Sequence, residues 1–306
     1  MTAWRLAAGD RGLGTIALVA MLASPAEARL TEPSRLAAIY DVILAAQFDR
    51  VDAVRKQACP PAPVEACAAL DVVSLWWQIQ ITPESKALDR RFEQLAAATI
   101  AATEAWTKRE PNRGEAWFYL AGSYGPLVQW RVLRGQRLAA ARQGKQIKDA
   151  LERALQLDPG LDDAHFGIGL YHYYADVAPA AAKILRWLLF LPGGDRVKGL
   201  EEMRQARQRG VFVRGEADYQ LHLVYLWYEH KPQQALELLK DLDARYPTNP
   251  LFLQKIAEVN DTYVHDRQAS VIAWRILIER ARDRRVYNAP QVETRARDAL
   301  KRLGAT

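Results

Sequence analysis

The chain has 306 residues, half of them hydrophobic and a quarter charged; 42 Lys and Arg stand against 36 Asp and Glu, a net charge of +6. That balance excludes a disordered chain, and 17 Gly with 15 Pro exclude collagen-like and low-complexity classes. A basic excess this small over this length gives little ground for nucleic-acid binding.

Residues 1–28 read as a secretory signal. Arg5 and Arg11 precede an apolar run over 13–23, Pro25 breaks it, and Ala26-Glu27-Ala28 supplies a small-x-small cleavage pattern. The run falls short of the ~20 residues that a spanning helix needs. Cleavage after Ala28 and a periplasmic location are the expectation. Export also suits Cys59 and Cys67, which flank a loop holding Pro60, Pro61 and Pro63. Zinc would want further ligands at short spacing and haem attachment a Cys-x-x-Cys-His run, so a disulfide is expected here.

From Ser34 onward apolar residues recur at three- and four-residue steps, as in Leu221, Val224, Tyr225 and Tyr228 or Ile256, Val259 and Tyr263. Pro and Gly punctuate the stripes, which predicts an all-α chain. Residues 29–110 are helical, with Trp76, Trp77, Phe92, Leu95, Ile100 and Trp106 on apolar faces, but they follow no regular spacing. They read as degenerate repeats or as a capping bundle.

Beyond residue 110 the spacing becomes regular. Trp117, Leu120, Ala121 and Tyr124 are followed by Ile147, Leu151, Ala154 and Pro159. Tyr219, His222, Leu223 and Leu226 are followed by Ala235, Leu239, Leu242 and Pro247, and a further copy runs from Leu253 to Ile276. A less regular copy uses His165, Ile168, Gly169 and His172, then Gly199, Met203 and Ala206. This order of large and small residues resembles the tetratricopeptide repeat. The resemblance implies helical hairpins over 111–289, stacked into a right-handed α-α superhelix with a concave groove, and residues 290–306 closing it as a capping helix.

Two copies are longer than the repeat allows, near 125–146 and 173–198, and each excess is expected to form an inserted helix on one edge of the solenoid. The first carries Arg131, Arg134, Arg137, Arg142, Lys145 and Lys148 and no acid before Asp149, so one helical face is expected to be cationic. The second, 178–191, is apolar on nearly every side and includes Trp187 and Phe190. Asp195, after Pro192-Gly193-Gly194, is predicted to cap the next helix. His172 and Tyr225 complete the candidate partner contacts.

No nucleophile elbow, His-Glu-x-x-His or phosphate-binding loop is present. His172, Asp176 and His222 form the one acid/base set that can be sketched, and with His165 they outline a metal site. The sequence therefore predicts a non-enzymatic, cofactor-free periplasmic scaffold that holds a protein or peptide of the cell envelope, with no nucleic-acid partner. A peripheral membrane or lipid-binding role through Trp187, Phe190 and the cationic insert is the first alternative. A metal-dependent enzyme sited in the groove is the second.

Overall fold

The computed structural model describes residues 30–178 and 193–305. Among them are thirteen α-helices and no strand: α1 (Pro33–Leu44), α2 (Phe48–Ala58), α3 (Val64–Ile81), α4 (Asp89–Arg109), α5 (Gly114–Leu133), α6 (Arg137–Leu157), α7 (Ala164–Val177), α8 (Arg196–Arg209), α9 (Arg214–Trp227), α10 (Pro232–Arg245), α11 (Pro250–Val259), α12 (Arg267–Arg282) and α13 (Ala289–Arg302). Each helix packs on its neighbours in the chain, and α1, α3 and α5 also meet across the intervening helices. The all-α expectation is met.

Local chemistry explains several boundaries. The Asp195 carboxylate accepts the backbone N–H of Lys198 at 3.0 Å, the predicted cap. Asn249 and Asp266 serve α11 and α12 in the same way. Prolines open α1, α10, α11 and α13, where the missing N–H costs nothing. One π-turn, Asn260–Val264, ends α11, and His265 follows it at φ 59°.

The α7–α8 pair packs backbone against backbone. A Cβ on Gly169 would lie 2.7 Å from the Gly199 carbonyl, and one on Gly199 would lie 2.6 Å from the Gly169 carbonyl. These are two of the small residues picked out in the irregular copy. Gly169→Ala should therefore lower the unfolding free energy by about 1–3 kcal/mol in urea titration, because backbone cannot move aside as a side chain does. Next along the chain, Asp218 of α9 is fully buried between Arg207 of α8 and Arg245 of α10, which ties three successive helices together.

The first long copy forms no helix of its own. Its extra residues lengthen α5 and α6, which meet at a turn over 134–136 with Gly135 at φ 78°. The expected inserted helix is corrected here to a longer hairpin. The expected cationic face also fails. Arg131 lies in the last turn of α5, Arg134 in the turn that follows and Arg137 at the start of α6, and Lys145 and Lys148 pair with Asp149 and Glu152 one turn on. The second insert lies almost wholly outside the described residues.

The N-terminal helices reach across the molecule to its far end. Tyr246 donates its hydroxyl to Asp41 at 2.7 Å, Asn249 Nδ2 reaches the Leu44 carbonyl at 2.8 Å, and Arg295 reaches the Ile81 carbonyl at 3.0 Å. One continuous core joins Leu36, Ile39 and Ile43 of α1 to Tyr119 of α5 and Phe252 of α11. Cys59 and Cys67 form a disulfide between α2 and α3, as expected.

Candidate functional site

α3 has twelve buried residues spread round its axis, and a helix of that kind must be covered on most of its sides. Trp76 and Trp77 lie on different sides of it. Trp76 packs near Phe92 of α4, while Trp77 lies against Tyr219 of α9 and Phe252 of α11. With α3 in that place, a cavity of about 1440 Å³ remains between it and α5, α6, α7, α9 and α11. Small-molecule sites typically hold about 300–1,000 Å³, so this is a large space.

Its walls are mainly aliphatic and aromatic. Leu70 and Val73 come from α3, Phe118 and Val128 from α5, Phe166 and Tyr174 from α7, and Leu223 and Leu226 from α9. Phe212 joins them from the α8–α9 turn and stacks on Tyr40 with ring centroids 5.1 Å apart. That turn is pinned by buried Asp163, whose carboxylate accepts the backbone N–H groups of Val211, Phe212 and Val213 at 3.1, 2.8 and 2.9 Å.

The middle of α5 reads Gly122-Ser123-Tyr124-Gly125-Pro126, a poor helix-forming run. Both glycines line the cavity, and a Cβ on either would meet nothing within 4 Å. Gly122→Ala should stabilise the protein by about 0.5–1 kcal/mol while narrowing the space, which a urea midpoint measures. The opposite sign at Gly169 distinguishes a glycine that packs from one that leaves room.

A polar cluster interrupts the apolar wall. Glu216 Oε2 accepts from the Tyr40 hydroxyl at 2.9 Å and from Trp77 Nε1 at 3.1 Å, and Gln220 Nε2 donates to Oε1 at 3.1 Å. The same Gln220 nitrogen donates to Gln129 Oε1 at 2.8 Å. Burial pushes the Glu216 carboxyl above its usual range, against the pull of Gln220, Tyr40 and Trp77. His222, fully buried beside the Tyr219 ring, has no hydrogen-bond partner on either nitrogen. Burial lowers its pKa to about 3. Trp76, Gln80 and Tyr119 also line the space, while Trp76 Nε1, Gln80 Nε2 and the Tyr119 hydroxyl are covered by protein and have no hydrogen-bond partner.

These two ionisable groups bend stability with pH in opposite directions. Folded His222 stays neutral while the unfolded chain takes up a proton below about 6.5, so the unfolded state binds more protons as pH falls. Unfolding free energy should drop by about 1–2 kcal/mol between pH 7 and pH 5, and His222→Leu should remove that loss. Folded Glu216 holds its proton to higher pH than the unfolded chain does. Its contribution is present at low pH and lost as pH rises through the folded pKa, and Glu216→Gln should flatten that limb. Urea titrations at several pH values read both slopes.

The candidate partner contacts fall in different places. Arg134 is held inside the molecule, with Nε 2.7 Å from Asp89 and two further bonds to the carbonyls of Pro83 and Ser85. Arg131 is half-buried, whereas Arg137 and Arg142 are exposed, Arg137 on the cavity lining. His172 Nδ1 lies 2.7 Å from Glu202, and Tyr225 packs under Arg204 away from the cavity. Trp187 and Phe190 lie outside the described residues. Asp176 accepts the backbone N–H of Arg196 at 3.0 Å. Among the described residues no three His, Cys, Asp or Glu side chains gather as a metal site, and no helix is long and apolar enough to cross a membrane.

Glu216, Gln220 and Gln129 escape a reading of periodicity. The signal available was one acid, Glu216, on the face that carries Tyr219 and Leu223 at helical spacing.

These features define an all-helical protein organised round a large, mostly apolar internal space. No protein-family profile matches the chain, and no curated protein matches its sequence.

Proposed function

We propose that the protein is a non-enzymatic, periplasmic scaffold or adaptor that holds its partner through a concave face. In this reading α5 to α12 form a right-handed, tetratricopeptide-like superhelix. The observation that carries it is the cavity. The first helices of successive pairs, α5, α7, α9 and α11, all present one side to the same apolar space. The Cys59–Cys67 disulfide supports an oxidising compartment.

A lipid-binding or peripheral membrane role is favoured by one specific observation. The side chains of Val132, Leu133, Leu138, Trp227, Tyr228 and Tyr263 are exposed and also line the cavity, so its opening is rimmed by apolar groups.

The test fills the cavity. Gly122 lines the cavity and a Cβ there meets nothing within 4 Å, so Gly122→Trp directs an indole into the space and is expected to leave the melting temperature unchanged or raised. Whatever the wild-type protein retains from a solubilised envelope fraction should be lost by this variant. If both retain the same molecule, the cavity is not the binding surface. Arg137→Glu/Arg142→Glu, at exposed positions, then tests the hairpin end. Arg134 is left untouched, because reversing it would break its bonds to Asp89, Pro83 and Ser85.

A further inference from the structure

The ends of α5, α9 and α11 come together at the opening of the cavity, so three separate turns form one edge of the molecule. Six of the eleven large hydrophobic side chains exposed among the described residues lie there. Val132, Leu133 and Leu138 belong to the α5–α6 hairpin, Trp227 and Tyr228 to the end of α9, and Tyr263 to the π-turn after α11. Apolar surface alone fits many partners, and the charges beside it narrow the choice.

Between Glu115 and Asp149 the chain has no acid. Arg134 is bound to Asp89, and Lys145 and Lys148 are bound to Asp149 and Glu152. Arg137 and Arg142 are exposed and meet no carboxylate among the described residues. Lys231, just past Tyr228, is exposed too, and its neighbour Glu229 is held by Arg196. Glu258 is neutralised by Lys255 at 2.6 Å, and Asp261 is an exposed acid beside the π-turn tyrosine. Free cations therefore outnumber free acids along this edge.

The order of these groups decides between partners. On α6, Leu138 stands at the end of the hairpin and Arg142 one turn back, about 6 Å nearer the body. On α5, Val132 and Leu133 lie beyond Arg131. Apolar groups outermost with cations behind them match a bilayer, whose phosphates lie at the surface and hydrocarbon beneath. Arg137, at the tip, has a stem long enough to carry its charge back to the phosphate level. Trp and Tyr are the side chains that settle at that level. An acidic peptide would be met best by the reverse order, with cations outermost.

We infer that this edge is a contact face for a bilayer of anionic phospholipid, which rests on the second, membrane reading above. Val132, Leu133 and Leu138 enter the outer hydrocarbon, Trp227, Tyr228 and Tyr263 lie among the headgroups, and Arg137, Arg142 and Lys231 hold the phosphates. The contact is peripheral and no covalent step is involved.

Cosedimentation with vesicles of phosphatidylglycerol and phosphatidylcholine, beside vesicles of phosphatidylcholine alone, reads binding. The wild-type protein should bind the anionic vesicles at least tenfold more tightly, and added salt should weaken that binding. Arg137→Gln/Arg142→Gln should weaken it about thirtyfold, from about 1 kcal/mol for each cation. Val132→Ser/Leu138→Ser should weaken it about tenfold or more, at an unchanged melting temperature because both positions are exposed. Gly122→Trp should bind as the wild type does, since the edge and not the cavity makes the contact. Location is read with a nitrobenzoxadiazole label on an introduced cysteine, the two native cysteines being joined to each other. The label should brighten on anionic vesicles at Leu138→Cys and stay dim at Ile272→Cys, an exposed position on α12.

Vesicle binding that survives both double variants, or a label that brightens at 272 and not at 138, overturns this edge and leaves the membrane reading standing. Loss of vesicle binding in Gly122→Trp does the same, by moving the lipid into the cavity. Equal binding to phosphatidylcholine alone overturns the anionic preference. Binding to neither vesicle overturns the edge and the membrane reading together, and polyglutamate bound in their place makes it a surface for an acidic chain.

Discussion

Replacing Trp77 by Ala should destabilise the protein by about 3–5 kcal/mol, the usual cost of emptying a fully buried aromatic site. The ring is completely buried and spans two parts of the chain, resting on Tyr219 with centroids 5.0 Å apart and on Phe252 at 5.8 Å. Its Nε1 also donates to Glu216, so truncation removes a donor from a buried carboxyl. Trp77→Phe keeps most of the packing and should recover more than half of the loss. Urea unfolding followed by circular dichroism measures both. If α3 were a detachable cap, the Ala variant would instead lose a small separate transition and leave the midpoint of the rest in place.

The second large effect is expected at Asp163. Asp163→Ala leaves three backbone N–H groups of the α8–α9 turn without their acceptor, at least one of them, that of Val213, in a buried residue. A cost of about 3 kcal/mol follows from about 1–3 kcal/mol for each buried donor left unpaired. Gly210 sharpens the case. A Cβ there would lie 2.5 Å from the Ala206 carbonyl and 2.8 Å from Asp163 Oδ1, so the turn is packed tightly on the carboxylate. Asp163→Asn should be milder, because Oδ1 alone accepts from Phe212 and Val213 and only the bond from Val211 to Oδ2 is lost. Since the turn places Phe212 in the cavity wall, Asp163→Ala should also loosen ligand retention, whereas Asp163→Asn should keep it.

The helices were legible because their causes are local. Stripes such as Leu221, Val224 and Tyr225 show the period directly, and Asp195 announces its cap by standing after Pro192-Gly193-Gly194. The packing of Gly169 on Gly199 was foreshadowed by their small-residue positions. The turn at 134–136 was not, since one Gly inside Leu133-Arg134-Gly135-Gln136 is a faint breaker beside the proline turns elsewhere, and two long helices took the place of an inserted one. Nor was the destination of α3. Twelve buried side chains spread round its axis announce burial without saying against what. The cavity was least legible, because it is empty space bounded by residues from Tyr40 to Tyr263. Glu216 becomes meaningful only when Tyr40 and Trp77, far away in sequence, are brought to its carboxylate.

The bonds from Tyr246 to Asp41, from Asn249 to Leu44 and from Arg295 to Ile81 join residues more than 200 positions apart. A linear array of hairpins can nucleate anywhere and propagate through nearest neighbours. Here α1 and α3 complete their burial only after α9 to α13 have been made and have docked, so part of the core depends on closing a loop of nearly the whole chain. Refolding should therefore be slower than for an open stack of similar helices. Until the ends meet, the apolar sides of α3 are uncovered, and that interval is when the chain is most exposed to self-association.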